Sequence, residues 1–134
     1  MKPKVLIVDD EEDFGQLLEY NLSNQGCQIL RASNGMQALK IARLENPDLI
    51  LLDILLPDLD GLSICEILHS QPSTREIPVF MISALNQSYA FTRNHKASFD
   101  LYFTKPVDFA ILGSSIRRAV EARHESLASK LQEG

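Results

Sequence analysis

The chain has 134 residues, 45% of them hydrophobic and 23% charged, with a formal net charge of -5. A single domain of this size buries a sufficient core without disulfides or metal staples, and the excess of acid argues against a direct role on nucleic-acid backbones. Cys27 and Cys65 are too few for a disulfide framework, and no stretch has the length of a bilayer span or of a signal-peptide core. A soluble protein of the reducing cytoplasm, not bound to membranes, is therefore expected.

Val5 to Val8 is an apolar run that ends in Asp9-Asp10-Glu11-Glu12, which reads as a buried strand followed by acids. From Asp13 the helical spacing of Phe14, Leu17, Leu18 and Leu22 predicts a helix that stops at Gly26. Cys27 to Ala32 is a second strand. Ser33-Asn34-Gly35 is a turn with an N-cap, and the helix that follows ends at Asn46-Pro47, because the residue before proline disfavours α geometry. Leu49 to Asp53 is a third strand, nearly continuous in its hydrophobicity, as strands covered on both faces are. After the turn at Pro57 to Gly61, Leu62, Cys65, Ile67 and Leu68 predict a third helix. Ile77 to Ile82 is a fourth strand, Asn86 to Ala97 a fourth helix, and Leu101 to Phe103 a fifth strand. Asp108 caps a last helix with Phe109, Leu112, Ile116 and Val120 on its apolar face.

Strict alternation of five β and five α elements implies an α/β fold with a parallel sheet, right-handed crossovers and helices on both faces. The expected architecture is doubly wound. Four of the five strands end in a polar residue: Asp9 and Asp10, Asp53, Ser83, and Lys105. In a parallel sheet these ends share one edge, the edge at which such folds bind ligands. On its own stretch, Asp53 is equally readable as a turn-former. Three carboxylates on one edge repel unless a cation is present, and hard oxygen donors without His or Cys select Mg2+ that keeps several waters. His69, His95 and His124 are scattered and show no metal-ligand spacing. Mg2+, the Lys105 ammonium and the Ser83 hydroxyl together suit a phosphoryl group. Aspartate can attack phosphorus, and Asp53 is central on the edge.

Val8-Asp9-Asp10-Glu11, Leu51-Leu52-Asp53 with the following Ile54 to Gly61, Ile82-Ser83-Ala84, and Tyr102-Phe103-Thr104-Lys105-Pro106 together strongly resemble the receiver domain of two-component response regulators. The resemblance runs from about Pro3 to Val120, with a receiver domain over 1–121 and residues 122–134 as an extension of the last helix. It implies, for the doubly wound sheet, the flavodoxin-like (βα)5 topology with strand order 2-1-3-4-5. It also implies a phospho-accepting signalling module rather than an enzyme, phosphorylated on Asp53 by a partner histidine kinase or phosphotransfer protein. It further implies that Asp9, Asp10, Asp53 and the backbone carbonyl of Leu55 hold Mg2+, and that Lys105 pairs with Asp53 and then with the phosphoryl group. The Lys105-Pro106 peptide would be cis, Ser83 would bind the phosphoryl oxygen, and Tyr102 would rotate inward as the switch. The face formed by the fourth helix, fifth strand and fifth helix would meet a second copy or a downstream protein. Asp58 and Asp60 read as turn acids, and Gly61 as a residue of positive φ or close approach.

Several positions depart from the family pattern. Ser83 stands for the commoner threonine and keeps the hydroxyl. Leu55 and Leu85, each two residues past a site residue, offer no group to orient a hydrolytic water, which predicts slow self-dephosphorylation. Ser98-Phe99 replaces Gly-Ala before the fifth strand. Leu127 and Leu131 continue a narrow stripe that fits a dimer seam, a lead into an output domain, or a solvated end; no output domain lies within these residues. Three competing readings fare worse. A magnesium phosphohydrolase needs an acid where Leu55 stands, a nucleotide or flavin module needs a Gly-rich first loop, and a vestigial interaction domain would not need the intact acids.

Overall fold

The computed structural model describes residues 2–86 and 99–133. Within them are five strands, β1 (Lys4–Val8), β2 (Gln28–Ala32), β3 (Leu49–Leu52), β4 (Val79–Ser83) and β5 (Leu101–Thr104). Four helices accompany them: α1 (Glu12–Asn24), α2 (Gly35–Glu45), α3 (Gly61–Ser70) and the last helix, here α4 (Phe109–Glu133). The helix predicted over Asn86 to Ala97 lies outside the described residues except for Asn86, as does Ser98 of the Ser98-Phe99 departure. All pairings are parallel, in the order β2-β1-β3-β4-β5, as expected.

The central strands β1, β3 and β4 are apolar throughout because both faces are covered. Leu6, Val8, Ile50, Leu52, Val79 and Met81 face Ala38, Ala42, Leu62, Cys65 and Leu68 of α2 and α3. Val5, Ile7, Leu49, Leu51, Phe80 and Ile82 face Leu18, Leu22, Leu112, Ile116 and Val120 of α1 and α4. The edge strands β2 and β5 are only partly buried.

The helix ends follow the turn chemistry. Asn34 caps α2 by accepting from Gln37 N, Asn46 ends it in the left-handed region, and Gly26 closes the α1–β2 turn at φ 91°. Asp108 Oδ1 accepts from Ala110 N and Ile111 N at the start of α4. Asp60 is the N-cap of α3, and Asp58 does more than form a turn. Its two oxygens accept from Gly35 N at 2.7 Å and Met36 N at 3.0 Å, so it also caps α2 from the far side of a loop. Those backbone donors hold its carboxyl below the usual range. α4 stays helical to Glu133, and beyond Val120 its exposed side includes Leu127 (40%) and Leu131 (82%). His124 lies within α4, its Nε2 3.3 Å from Asp48 Oδ1.

Candidate phosphoryl-accepting site

The sheet ladder continues one residue past the strands, which makes the site rigid. Asp9 N donates to Ala32 O at 3.1 Å, Asp53 N to Val8 O at 3.0 Å and Lys105 N to Ser83 O at 2.8 Å. Each functional side chain is thus anchored to the neighbouring strand. Gly61 lets α3 start against this anchor. A Cβ there would lie 2.2 Å from the Asp53 carbonyl oxygen, so the requirement is close approach rather than positive φ. The Lys105-Pro106 peptide is cis.

Asp9 and Asp53 are each only 2% exposed. Between them lies the Lys105 ammonium, with Nζ 2.9 Å from Asp9 Oδ2, 3.0 Å from Asp53 Oδ2 and 2.7 Å from Glu11 Oε1. Burial works to lower the pKa of Lys105, but the carboxylates of Glu11, Asp9 and Asp53 outweigh it and hold the ammonium well above its ordinary range. Burial pushes the Asp9 carboxyl up, against the opposing pull of Lys105. Asp9 Oδ2 is in ion-pair reach of Lys105 but out of line for a hydrogen bond, and remains a buried oxygen with none. The Phe14 ring covers the ammonium from the other side at 4.3 Å from its centroid. A mainly apolar cleft of about 390 Å3, lined in part by Phe14, Leu17, Pro106 and Val107, opens beside it.

Asp10 is exposed at the rim. One oxygen from each of Asp9, Asp10 and Asp53 falls within 4.8 Å of the others. An all-oxygen, partly buried set of three carboxylates fits a hard divalent cation such as Mg2+. Leu55 N donates to Asp53 Oδ1 at 3.1 Å, while the Leu55 side chain is 51% exposed. Ser83 is fully buried at the end of β4, and its Oγ accepts from Leu85 N at 3.4 Å. The Tyr102 hydroxyl donates to the Leu85 carbonyl, and its ring lies 5.7 Å from that of Phe99.

This geometry has counterparts among known proteins. The family model described as the response regulator receiver domain matches residues 5–117. The chain belongs to that family. The receiver domain is 42% identical over 106 residues to the alkaline phosphatase synthesis transcriptional regulatory protein PhoP of Bacillus subtilis, a match covering 79% of this chain and 43% of PhoP. It is 35% identical over 117 residues to the response regulator PleD of Caulobacter vibrioides, covering 87% of this chain and 26% of PleD. The chain therefore spans less than half the length of these relatives.

Among solved structures, the signal receiver domain of a signal transduction histidine kinase from Syntrophus aciditrophicus superimposes with a TM-score of 0.82 at 32% identity. That match covers 90% of this chain and 91% of the other. The receiver domain of a sensor histidine kinase from Pseudomonas aeruginosa PAO1 also gives 0.82, at 27% identity, covering 90% of this chain and 99% of the other. That domain has a magnesium ion coordinated in its active site cleft. The family is a signalling module of two-component systems, phosphorylated on aspartate.

Within the receiver domain, the strand-end residues Asp9, Asp10, Asp53 and Lys105 come together as their sequence positions predict. Ser83 and Tyr102 each bond the Leu85 backbone. Sequence reasoning missed Glu11 and Phe14 as partners of Lys105. Glu11 directly follows the acid pair, a signal that was available, whereas Phe14 is indistinguishable in sequence from a core residue of α1.

Proposed function

We propose that Asp53 accepts a phosphoryl group from the phosphohistidine of a partner histidine kinase or phosphotransfer protein in the cytoplasm, and that the phosphorylated domain presents an altered face to its target. A carboxylate oxygen of Asp53 attacks phosphorus, an O–P bond forms, and the N–P bond breaks with its electron pair leaving on the donor imidazole. Asp9, Asp10, Asp53 and the Leu55 carbonyl would hold Mg2+, which when bound supplies positive charge to the oxygens of the transferring group. Lys105 follows Asp53 onto a phosphoryl oxygen. Ser83 donates its hydroxyl to another, drawing the 83–85 segment inward and releasing the Tyr102 hydroxyl from Leu85.

The observation that carries this reading is the convergence of two buried carboxylates on one mostly buried ammonium, which they must share. The arrangement is costly for folding alone and becomes intelligible as a site for a cation and a dianion. Leu55, which stands where a phosphohydrolase needs a second acid, supports transfer onto the protein rather than turnover. Leu55 and Leu85 lack a group to orient water, so the phosphorylated form decays slowly, and Leu85→Glu shortens its lifetime. The receiver unit would span residues 1–121, and the tail beyond it, helical as far as Glu133, carries the exposed Leu127 and Leu131 that suit a second copy or a downstream domain.

Incubation with a small-molecule phosphodonor and Mg2+, followed by intact mass, tests the reading. One phosphoryl group should appear on the wild type and none without Mg2+. Continuous hydrolysis of the donor without a phosphorylated protein would replace this account with a hydrolase.

A further inference from the structure

Lys105 has three carboxylate neighbours, and only two of them belong to the site as described. Glu11 is the nearest of the three at 2.7 Å, and its side chain is 62% exposed while that of Lys105 is 11% exposed. Phe14 lies against the same ammonium at 4.3 Å. Glu11 and Phe14 therefore form a rim position toward which Lys105 can turn without losing a counter-ion or an aromatic contact. Asp9 and Asp53, its other two anions, are two of the three acids that converge as a cation site.

We propose that Glu11 is a positioning residue that holds Lys105 aside when a divalent cation takes the oxygens of Asp9 and Asp53, and so sets the affinity of the site for Mg2+. The proposal rests on the Mg2+ site of the preceding reading. Without the cation, the ammonium divides its charge among three acids, and removing Glu11 leaves two. Once a cation neutralises Asp9 and Asp53, Glu11 is the one acid of the three still uncompensated. Its pairing with Lys105 then matters more, and that difference between the two states favours the cation. With Gln at this position, Lys105 stays committed to Asp9 and Asp53 and opposes entry. Glu11 is the N-cap of α1 through its backbone carbonyl, which accepts from Gly15 N, and its side chain bonds no helix N–H, so the substitution leaves the helix start intact.

The experiment is a titration with Mg2+ alone, near physiological ionic strength, followed through backbone amide shifts at residues 53 to 55 in wild type, Glu11→Gln, Lys105→Met and the double variant. Glu11→Gln should weaken binding about fivefold in the wild-type background. With Lys105→Met it should do so by about twofold or less, the share left to direct attraction by an exposed, screened carboxylate. Nuclear Overhauser contacts between the Lys105 side chain and the Phe14 ring, measured in wild type, should persist at saturating Mg2+. Equal losses in both backgrounds, no loss in either, or disappearance of the Phe14 contacts on Mg2+ binding would each overturn the proposal. A wild type that binds no Mg2+ at these amides would instead overturn the site reading beneath it.

Discussion

At the N-terminal edge of the sheet, Asp48 Oδ2 accepts the Lys4 N–H at 2.7 Å and Asp100 Oδ2 accepts the Val79 N–H at 2.8 Å, so each acid closes the ladder of a neighbouring strand. At the C-terminal edge Asp9 and Asp53 stand on equally firm backbone, yet their side chains meet each other and one ammonium, and Asp9 keeps an oxygen with no hydrogen bond. Both edges place aspartates beside strand ends, but those at the first edge bond strand backbone and those at the second converge on one shared ammonium. An acid whose bonds are complete explains itself by stability. An acid buried against another acid does not, because burying carboxylates together costs folding free energy unless a ligand restores the balance. The contrast separates scaffold from site without reference to any relative.

The largest expected break between the edges is in phosphate uptake. Asp53→Asn should abolish incorporation from a small-molecule donor, while Asp48→Asn and Asp100→Asn should label at the wild-type level by intact mass. Next is stability. Asp100→Ala strands the N–H of the fully buried Val79 and should lower unfolding free energy by about 1–3 kcal/mol in a denaturant titration, with labelling unchanged.

Asp9→Asn should act in the opposite direction, raising the stability of the Mg2+-free protein by on the order of 1 kcal/mol at neutral pH, because it removes a buried charge. The sign follows from burial raising the Asp9 pKa in the folded state. The folded chain holds that proton more tightly than the unfolded chain does. The contribution of Asp9 to stability therefore falls as pH rises from its ordinary 3.8 through the raised value. Asp9→Asn should remove that slope. Lys105, raised in the folded state, contributes fully below its ordinary 10.5 and loses that contribution as pH rises through the raised value, so the stability advantage of wild type over Lys105→Met in denaturant titrations should shrink at alkaline pH. Tyr102→Phe should have the smallest effect. Loss of the hydroxyl bond to the Leu85 carbonyl costs about 1 kcal/mol or less, seen as a small drop in the unfolding midpoint.

Much of this was legible in the sequence because buried parallel strands announce themselves as apolar runs, and the residue after each run falls on one edge. Asp9, Asp53 and Lys105 could be placed that way, whereas alternation alone leaves the strand order open and the family resemblance implied it. The rest depended on contacts between distant residues. Asp58 reaches across to cap α2 at Gly35, and Glu11 pairs with Lys105 on the far strand; no local pattern encodes either. Strand limits moved by one or two residues where apolar residues continue past the ladder, as at Ile77 and Pro78 before β4. The tail of α4 is helical to Glu133, as an extension of the last helix, but its narrow stripe fits a dimer seam, a lead into an output domain or a solvated end alike.

The central claim is that one carboxylate, Asp53, takes the phosphoryl group. Borohydride reduction of the phosphorylated chain converts an aspartyl-phosphate into homoserine, and peptide mass mapping locates it. The account predicts homoserine at position 53 and nowhere else. Homoserine at position 9, 10, 58 or 60, or a phosphate that survives reduction on another side chain, would contradict it.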